Sequence, residues 1–494
     1  MNPIKRLLSQ TAIYGIPSIA GRFLFFGLTY WYTRVFDTGQ YGVNSEFYAY
    51  SGFLTILLAF GMETGFFRFH KEAKDPAKVY STTLNFILFT SSLFLALIYL
   101  FANPIADWMQ YSDHKEYIRW FGWMLALDAI CAIPFVKLRA ENKAIQFAGI
   151  KVAEIGVNFS LNVFFLLICR KAYISGQDNF FAHCYNPAIG VGYVFIANLA
   201  ASAFKTLLLL PHFRGALAGF DKDLFRQILR YSLPMVIIGF AGIINEMLDR
   251  MILKHMLPYD SVPNPTQQLG IYGACYKLSI IMSLFIQAFR FAAEPFFFAQ
   301  SNQQNAKTIY ADVLKYFTIF CVFIFLLVML YLPWFQYFIG KDFRVGLKVV
   351  PILLMANLFL GIYTNLSIWY KLTDRTLMGA AVSMAGAVLT IVLNVVFIPA
   401  YGYMASAWAT LACYSGMAVV SYILGQKYYR VNYDLFHLLL YIVAGPALWL
   451  VFKYSAPLLP VPFWVISSLL MLVFAGLVLL LDGARLKRVL LRTS

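Results

Sequence analysis

Charge is scarce in this sequence. Only 13% of its 494 residues are Asp, Glu, Lys or Arg, about half the share of a soluble domain, which excludes a chain folded in water alone. Signatures of chemistry are missing too. There is no Walker A sequence, no H-E-x-x-H, no Gly-rich dinucleotide loop and no Cys/His metal spacing. No cofactor, metal site or ATP hydrolysis is therefore expected. The six histidines stand near expected helix ends or in loops, where imidazoles are ordinarily just solvated. Of six cysteines, Cys131, Cys275, Cys321 and Cys413 fall in apolar runs as packing residues; Cys169 and Cys184 flank one loop and could pair only on an oxidising side. Long loops are lacking as well: the longest polar segments, Arg170–Asn186 and Pro258–Gln268, have no room for a folded domain.

What the chain has instead is apolar length. It is 61% hydrophobic and 18% aromatic, with a mean hydropathy of +0.69. Runs of about 20 residues recur, long enough to cross a hydrocarbon core, and backbone groups in lipid must bond within the segment, so the runs are helices. Fourteen are expected: Thr11–Phe36, Asn44–Phe69, Ser81–Ala102, Tyr117–Leu138, Ala144–Ile168, Pro187–Leu210, Ile228–Met256, Leu269–Phe297, Ile309–Leu332, Val345–Tyr370, Thr376–Ile398, Tyr403–Leu424, Leu435–Phe452 and Pro462–Leu481. The first follows Lys5 and Arg6 but holds Pro17 and Arg22 and has no small-residue cleavage site, so it reads as a retained helix. Tyr and Trp near span ends, such as Tyr30-Trp31-Tyr32, read as interface belts.

The net charge of +16 follows from orientation and not from nucleic-acid binding. With the N-terminus inside, 24 Lys and Arg fall on inner segments and 11 on outer ones. The positive-inside rule then sets both termini in the cytoplasm, with basic loops facing the anionic inner leaflet.

The chain also repeats itself. Tyr14-Gly-Ile-Pro17, Tyr41-Gly42 and Phe67-Arg68-Phe69 return as Tyr231-Ser-Leu-Pro234, Tyr272-Gly273 and Phe289-Arg290-Phe291. Tyr80 matches Tyr310, and Leu161-Asn162-Val163 matches Leu393-Asn394-Val395 at an offset of 232. Gly190 and Leu199 match Gly402 and Leu411 at an offset of 212. Six helices thus match six. An even number makes the halves parallel repeats about an axis along the membrane normal, two lobes enclosing a central cavity. The expected division is 1–213, 214–430, and 431–494 carrying two unmatched helices and a basic tail.

Ionisable residues inside spans are the candidate functional groups. Each costs roughly 2.5–3.5 kcal/mol at mid-bilayer, so such residues face a partner or a wet cavity. Lys151 and Glu154 share a helical face and can neutralise each other, as can Glu246, Asp249 and Arg250. Arg22 and Lys277 have no acid within four residues; a guanidinium at Arg22 suits bidentate phosphate binding. Lys151 and Arg250 join them as candidate substrate-binding cations. Asp128, Glu154, Glu246 and Asp249 are candidate coupling carboxylates. Pro17 and Pro234 head matching helices and suit a hinge, while Arg68 and Arg290 end theirs on the inner side, where they would draw anionic headgroups to a lateral entrance.

With its lobe-leading Y-G-I-P and Y-S-L-P, its F-R-F endings and its twelve helices plus two, the chain resembles the multidrug/oligosaccharidyl-lipid/polysaccharide exporter superfamily. Within it, the chain resembles the bacterial Wzx-like polysaccharide flippases. That resemblance implies an all-α inner-membrane protein that moves undecaprenyl-pyrophosphate-linked oligosaccharides to the periplasmic leaflet by alternating access, and the intact repeats suggest that one chain, a monomer, suffices. It also implies proximity to polysaccharide polymerase machinery. Arg22 falls where such flippases keep a cavity arginine in their first helix. Drug/cation antiporters usually stop at twelve helices and favour an acid in the first, and here no acid precedes Asp37. The lipid II flippases share the fourteen-helix plan and remain an alternative. A membrane polymerase or ligase would need a large outer loop, which is absent.

Overall fold

The computed structural model describes residues 21, 23–214, 219–258, 261, 263–301 and 303–491. Among these residues all regular structure is helical, and thirteen helices are long and apolar enough to cross a membrane. The protein is an all-α, multi-pass membrane protein. Pro17 and Arg22 of the first expected span lie outside the described residues. From that span, α1 runs over 23–35. α2 (Thr38–Ala59) begins where the Asp37 carboxylate accepts from the Gln40 N–H at 2.8 Å, an N-cap that satisfies a donor the first turn leaves open.

Where one helix from Asn44 to Phe69 was expected, the chain breaks. Phe60 and Gly61 both take left-handed backbone, at φ 46° and 65°, and the path resumes as α3 (Met62–Glu72). Glycine holds that conformation without a Cβ penalty, and it closes α2 as a helix C-terminus usually closes. Then come α4 (Pro76–Leu100), the short α5 (Ala102–Trp108), α6 (Lys115–Ala140), α7 (Ala144–Val163), α8 (Gly192–Phe213) and α9 (Lys222–Met256). A π-turn, Phe164–Cys169, extends α7 into Arg170–Ile174, longer than the apolar run alone predicts. The thiols of Cys169 and Cys184 are free.

The second half supplies α10 (Pro265–Gln300), α11 (Ala306–Leu330), α12 (Val350–Leu366), α13 (Thr376–Tyr401), α14 (Tyr403–Tyr428), α15 (Leu435–Ser455) and α16 (Phe463–Leu491). The chain forms two compact units, one of residues 1–255 with 259–270 and the other of 256–258 with 271–494.

In the first unit α6 packs between α4 and α8, and α8 packs on α7. Tyr41-Gly42 has a packing reason: a Cβ on Gly42 would stand 2.0 Å from the Thr266 carbonyl oxygen, and one on Gly270 would stand 1.8 Å from that of Thr38. Two backbones meet here with no side chain between them, the small-residue contact that lets helices approach in lipid.

In the second unit α14 packs against α12 and α13, while α15 packs against α11. The two unmatched helices, α15 and α16, are tied to α11 by charge. Lys315, almost fully buried, lies 2.5 Å from Asp482 Oδ1 and 3.2 Å from Asp434 Oδ2. Tyr441 donates to Asp482 Oδ2 at 2.7 Å, and His437 Nδ1 stands 2.7 Å from Asp434 Oδ2. Burial alone would raise the Asp434 carboxyl, but hydrogen bonds from His437 and the Lys315 ammonium hold it below the ordinary aspartate value. A depressed carboxyl stabilises above its unfolded value of about 3.9 and stops doing so as pH falls through the folded one. Asp434→Asn is accordingly expected to lower the melting temperature between pH 5 and 8. The gap from wild type should close as the melt is repeated below about pH 4.

Candidate functional site

The first unit carries a polar seam through its apolar interior. On α7, Lys151, Glu154, Asn158 and Asn162 follow one another at helical spacing, and on α8 so do Asn198, Ser202 and Lys205. Residues three and four apart share a face, so the two helices present facing rows.

The rows bond across. Tyr32 of α1 donates to Asn162 Oδ1 at 2.7 Å, and Asn162 Nδ2 donates to Asn158 Oδ1 at 3.0 Å. Asn158 Nδ2 donates to Asn198 Oδ1 at 2.9 Å, and Asn198 Nδ2 to the Tyr48 hydroxyl of α2 at 2.9 Å. Further along, Lys205 Nζ is 2.5 Å from Asp128 Oδ1 of α6 and 2.6 Å from Glu154 Oε1, while Ser202 donates to the same Asp128 oxygen at 2.6 Å. Lys151 Nζ meets the other Glu154 oxygen at 2.9 Å.

Formal charge in this cluster cancels: two ammoniums, two carboxylates. Cancellation and bonding are what allow the groups to stand in an apolar interior. The members differ in how firmly they are held. The Lys205 side chain is 4% exposed and gripped by two acids, whereas that of Lys151 is 32% exposed and touches one. Glu154 keeps Lys205 if Lys151 leaves. Lys151 is thus the cation able to exchange its carboxylate for another anion.

The second unit holds the same frame without the charge. The offset of 232 sets Ser383, Gly386, Thr390 and Asn394 opposite Lys151, Glu154, Asn158 and Asn162; the offset of 212 sets Thr410 and Met417 opposite Asn198 and Lys205. Asn394 donates to the Thr390 carbonyl at 2.8 Å, as Asn162 does to that of Asn158 at 2.9 Å. But where Glu154 meets Lys205, Gly386 packs on Met417, whose Sδ would lie 2.6 Å from a Cβ there. One contact is ionic in the first copy and apolar in the second.

Other sequence candidates are more scattered. Lys277, half-buried on α10, stands in the second unit. On α9, Pro234 sits within a continuous helix, Glu246 is exposed, Arg250 is half-buried, and the buried Asp249 accepts from the Arg250 backbone N–H at 2.8 Å. The Arg68 guanidinium lies 4.4 Å from the centre of the Tyr231 ring. Arg290 lines a pocket of about 140 Å³ with Glu294, Asn365 and Lys371, and Lys371 pairs with Glu294. Among the described residues no group of His, Cys, Asp and Glu could hold a metal ion.

Lys205, Asn158, Asn198 and Tyr32 were missed by sequence reasoning. A lone lysine in the run A-S-A-F-K-T-L-L-L-L was the available signal, since an unpaired ammonium does not stay in lipid.

The model of a family described as polysaccharide biosynthesis protein matches residues 7–300. No curated protein matches the sequence. Among solved structures, the fold is similar to the lipid II flippase MurJ in an inward closed conformation. The TM-score is 0.71 at 15% identity, over 94% of this chain and 98% of that one. It is also similar to a multidrug resistance MATE family transporter of the MOP superfamily. The inward-facing form gives a TM-score of 0.64 at 13% identity, over 84% of this chain and 94% of that one. The outward-facing form gives 0.59 at 13% identity, over 85% and 94%.

Proposed function

Because the chain belongs to the polysaccharide biosynthesis protein family, we propose that it flips undecaprenyl-pyrophosphate-linked oligosaccharide repeat units across the bacterial inner membrane. It is a multi-pass membrane transporter, not an enzyme. In this reading the termini face the cytoplasm and the repeat units feed O-antigen, capsule or exopolysaccharide assembly.

The observation that carries the proposal is the seam of the first unit. An anionic, sugar-bearing head crossing a bilayer needs hydrogen-bonding groups and cations along its way, because an unshielded charge in hydrocarbon is costly. Amide and phenol side chains from Tyr32 to Tyr48 supply sugar-type hydrogen bonds, and Lys151 is a cation that can change partners. Arg22, outside the described residues, is the proposed first grip on pyrophosphate. Lys277 and Arg250 are proposed to serve later in the passage. Pro17 and Pro234 are proposed hinges, and Arg68 and Arg290 are each proposed to draw anionic headgroups toward a lateral entrance. Asp128 and Glu154 could couple to an ion only by loosening Lys205; Glu246 and Asp249 carry no such tie to it.

Deletion of the gene is expected to leave lipid-linked repeat units accumulated on the inner leaflet, measured by mass spectrometry of extracted lipids. Accumulated lipid II instead would identify the alternative flippase, and unchanged lipid pools with lost drug resistance would identify an antiporter. Arg22→Ala and Lys151→Gln each remove one charge-assisted contact of about 1.5–3 kcal/mol, so surface glycan synthesis should slow by about tenfold or more. A wild-type rate in both variants would refute the phosphate-binding role.

A further inference from the structure

A second charged cluster of the first unit has no place in the seam. Glu46, eight residues into α2, is fully buried. Its Oε2 accepts from Tyr111, in the turn after α5, at 2.5 Å and from Lys254 of α9 at 3.1 Å. Lys254 is itself almost fully buried and also donates to the Met109 carbonyl. The other carboxylate oxygen, Oε1, is buried with no hydrogen bond, and His255 Nε2 stands 3.8 Å from it.

His255 is held in place beside that oxygen. Its Nε2 stands 3.5 Å from the Tyr50 hydroxyl of α2, and its ring stacks on Trp108 of α5 at 4.9 Å between centroids, 17° from parallel. The titratable and charged groups around it are Glu46 and Tyr50 from α2, Tyr111 from the α5 turn with Tyr117 of α6 beyond it, and Lys254 on its own helix. With His255 neutral, Glu46 and Lys254 cancel. With His255 protonated, two preformed gains appear together, an ion pair to the unbonded Glu46 oxygen and a cation over an indole face, and against them the ring competes with Lys254 for one carboxylate. An orphaned buried oxygen ordinarily costs free energy, so the neutral form leaves a deficit that the protonated form removes.

We propose that Glu46, Lys254 and His255 form a proton-binding site at the junction of α2, the α5 turn and α9, with His255 as the group that takes the proton. In the flippase reading and its orientation, the end of α9 is the outer end. A proton arriving from the periplasm would then bind here and redistribute the bonds that fix the end of α9 to α2 and α5. Histidine is the side chain whose charge can change within the pH range a periplasm-facing site meets. The candidate carboxylates of the seam need not supply the coupling, because Lys205 already occupies them.

The test reads the proton directly and does not depend on what is transported. Full-length protein with ¹⁵N-labelled histidine is titrated from pH 4.5 to 8.5 in nanodiscs, with the His255 resonances assigned by their loss in His255→Asn. Wild type should show His255 titrating within that range. In Glu46→Gln the midpoint should fall by about one unit, a tenfold loss of proton affinity, and in Trp108→Leu it should fall by less. Glu46→Gln leaves Lys254 buried without its acid and could misfold, so Lys254→Met, which removes the competing ammonium, is measured alongside and should raise the midpoint. A His255 that stays neutral throughout, or an unchanged midpoint in Lys254→Met, would overturn the proposal. A titrating His255 in a strain with no accumulated lipid-linked glycan would sink the flippase reading and leave the proton site standing.

Discussion

Lys205→Met should leave little folded protein. The substitution leaves Glu154 with Lys151 and strips the half-buried Asp128 of its ammonium, and removing one partner of a buried ionic cluster costs up to about 3–5 kcal/mol, a large part of a domain's stability. Thermal unfolding of the purified protein would read the loss. The triple variant Asp128→Asn/Glu154→Gln/Lys205→Met removes Lys205 and both acids together, leaves only the partly exposed Lys151, and should recover most of the stability, because apolar replacement of a buried ion cluster is often neutral or stabilising. The second unit already runs that experiment with Gly386 against Met417. If the triple variant folds as wild type and also restores surface glycan to a deletion strain, the charges of Asp128, Glu154 and Lys205 have no part in transport.

Lys315→Met is expected to have a comparable effect at the other end of the chain. It strands Asp482, nearly fully buried, and the partly exposed Asp434, at about 3–5 kcal/mol by the same reasoning. Its signature should be local. Because Lys315 joins α11 to α15 and α16, limited proteolysis should cut first in the 429–434 or 456–462 links while the first unit stays protected. Uniform protection in the mutant would mean that packing alone holds α15 and α16. Asp434→Asn/Asp482→Asn/Lys315→Met should restore protection.

Much of this architecture is legible in the residues because membrane helices announce themselves through length and hydropathy, and because the repeat prints its register twice. The Lys151–Glu154 pair was legible for the same kind of reason: both members sit one turn apart on one helix. What was not legible is pairing between distant segments. Glu154 and Lys205 are 51 residues apart, Asp128 and Lys205 77, and Glu46 and Lys254 208. No periodicity connects them, and only the folded bundle brings them together. Glu46 was overlooked because it lies near a span end, where a solvated carboxylate is ordinary; instead it is fully buried. The break at Phe60–Gly61 escaped notice because a left-handed pair leaves the apolar run unbroken in composition.

The contact of Gly42 with Thr266 and of Gly270 with Thr38 bears on how loss-of-function variants in this chain will distribute. A Cβ at either glycine would have to occupy space held by a backbone oxygen, which no rotamer change can vacate. A screen scored only by glycan at the cell surface would therefore rank Gly42 and Gly270 alongside the ionic residues, although neither offers a functional group. The two kinds of defect separate by their rescue: a glycine variant has no compensating partner to mutate, whereas a charge variant can be mended by neutralising its counterion.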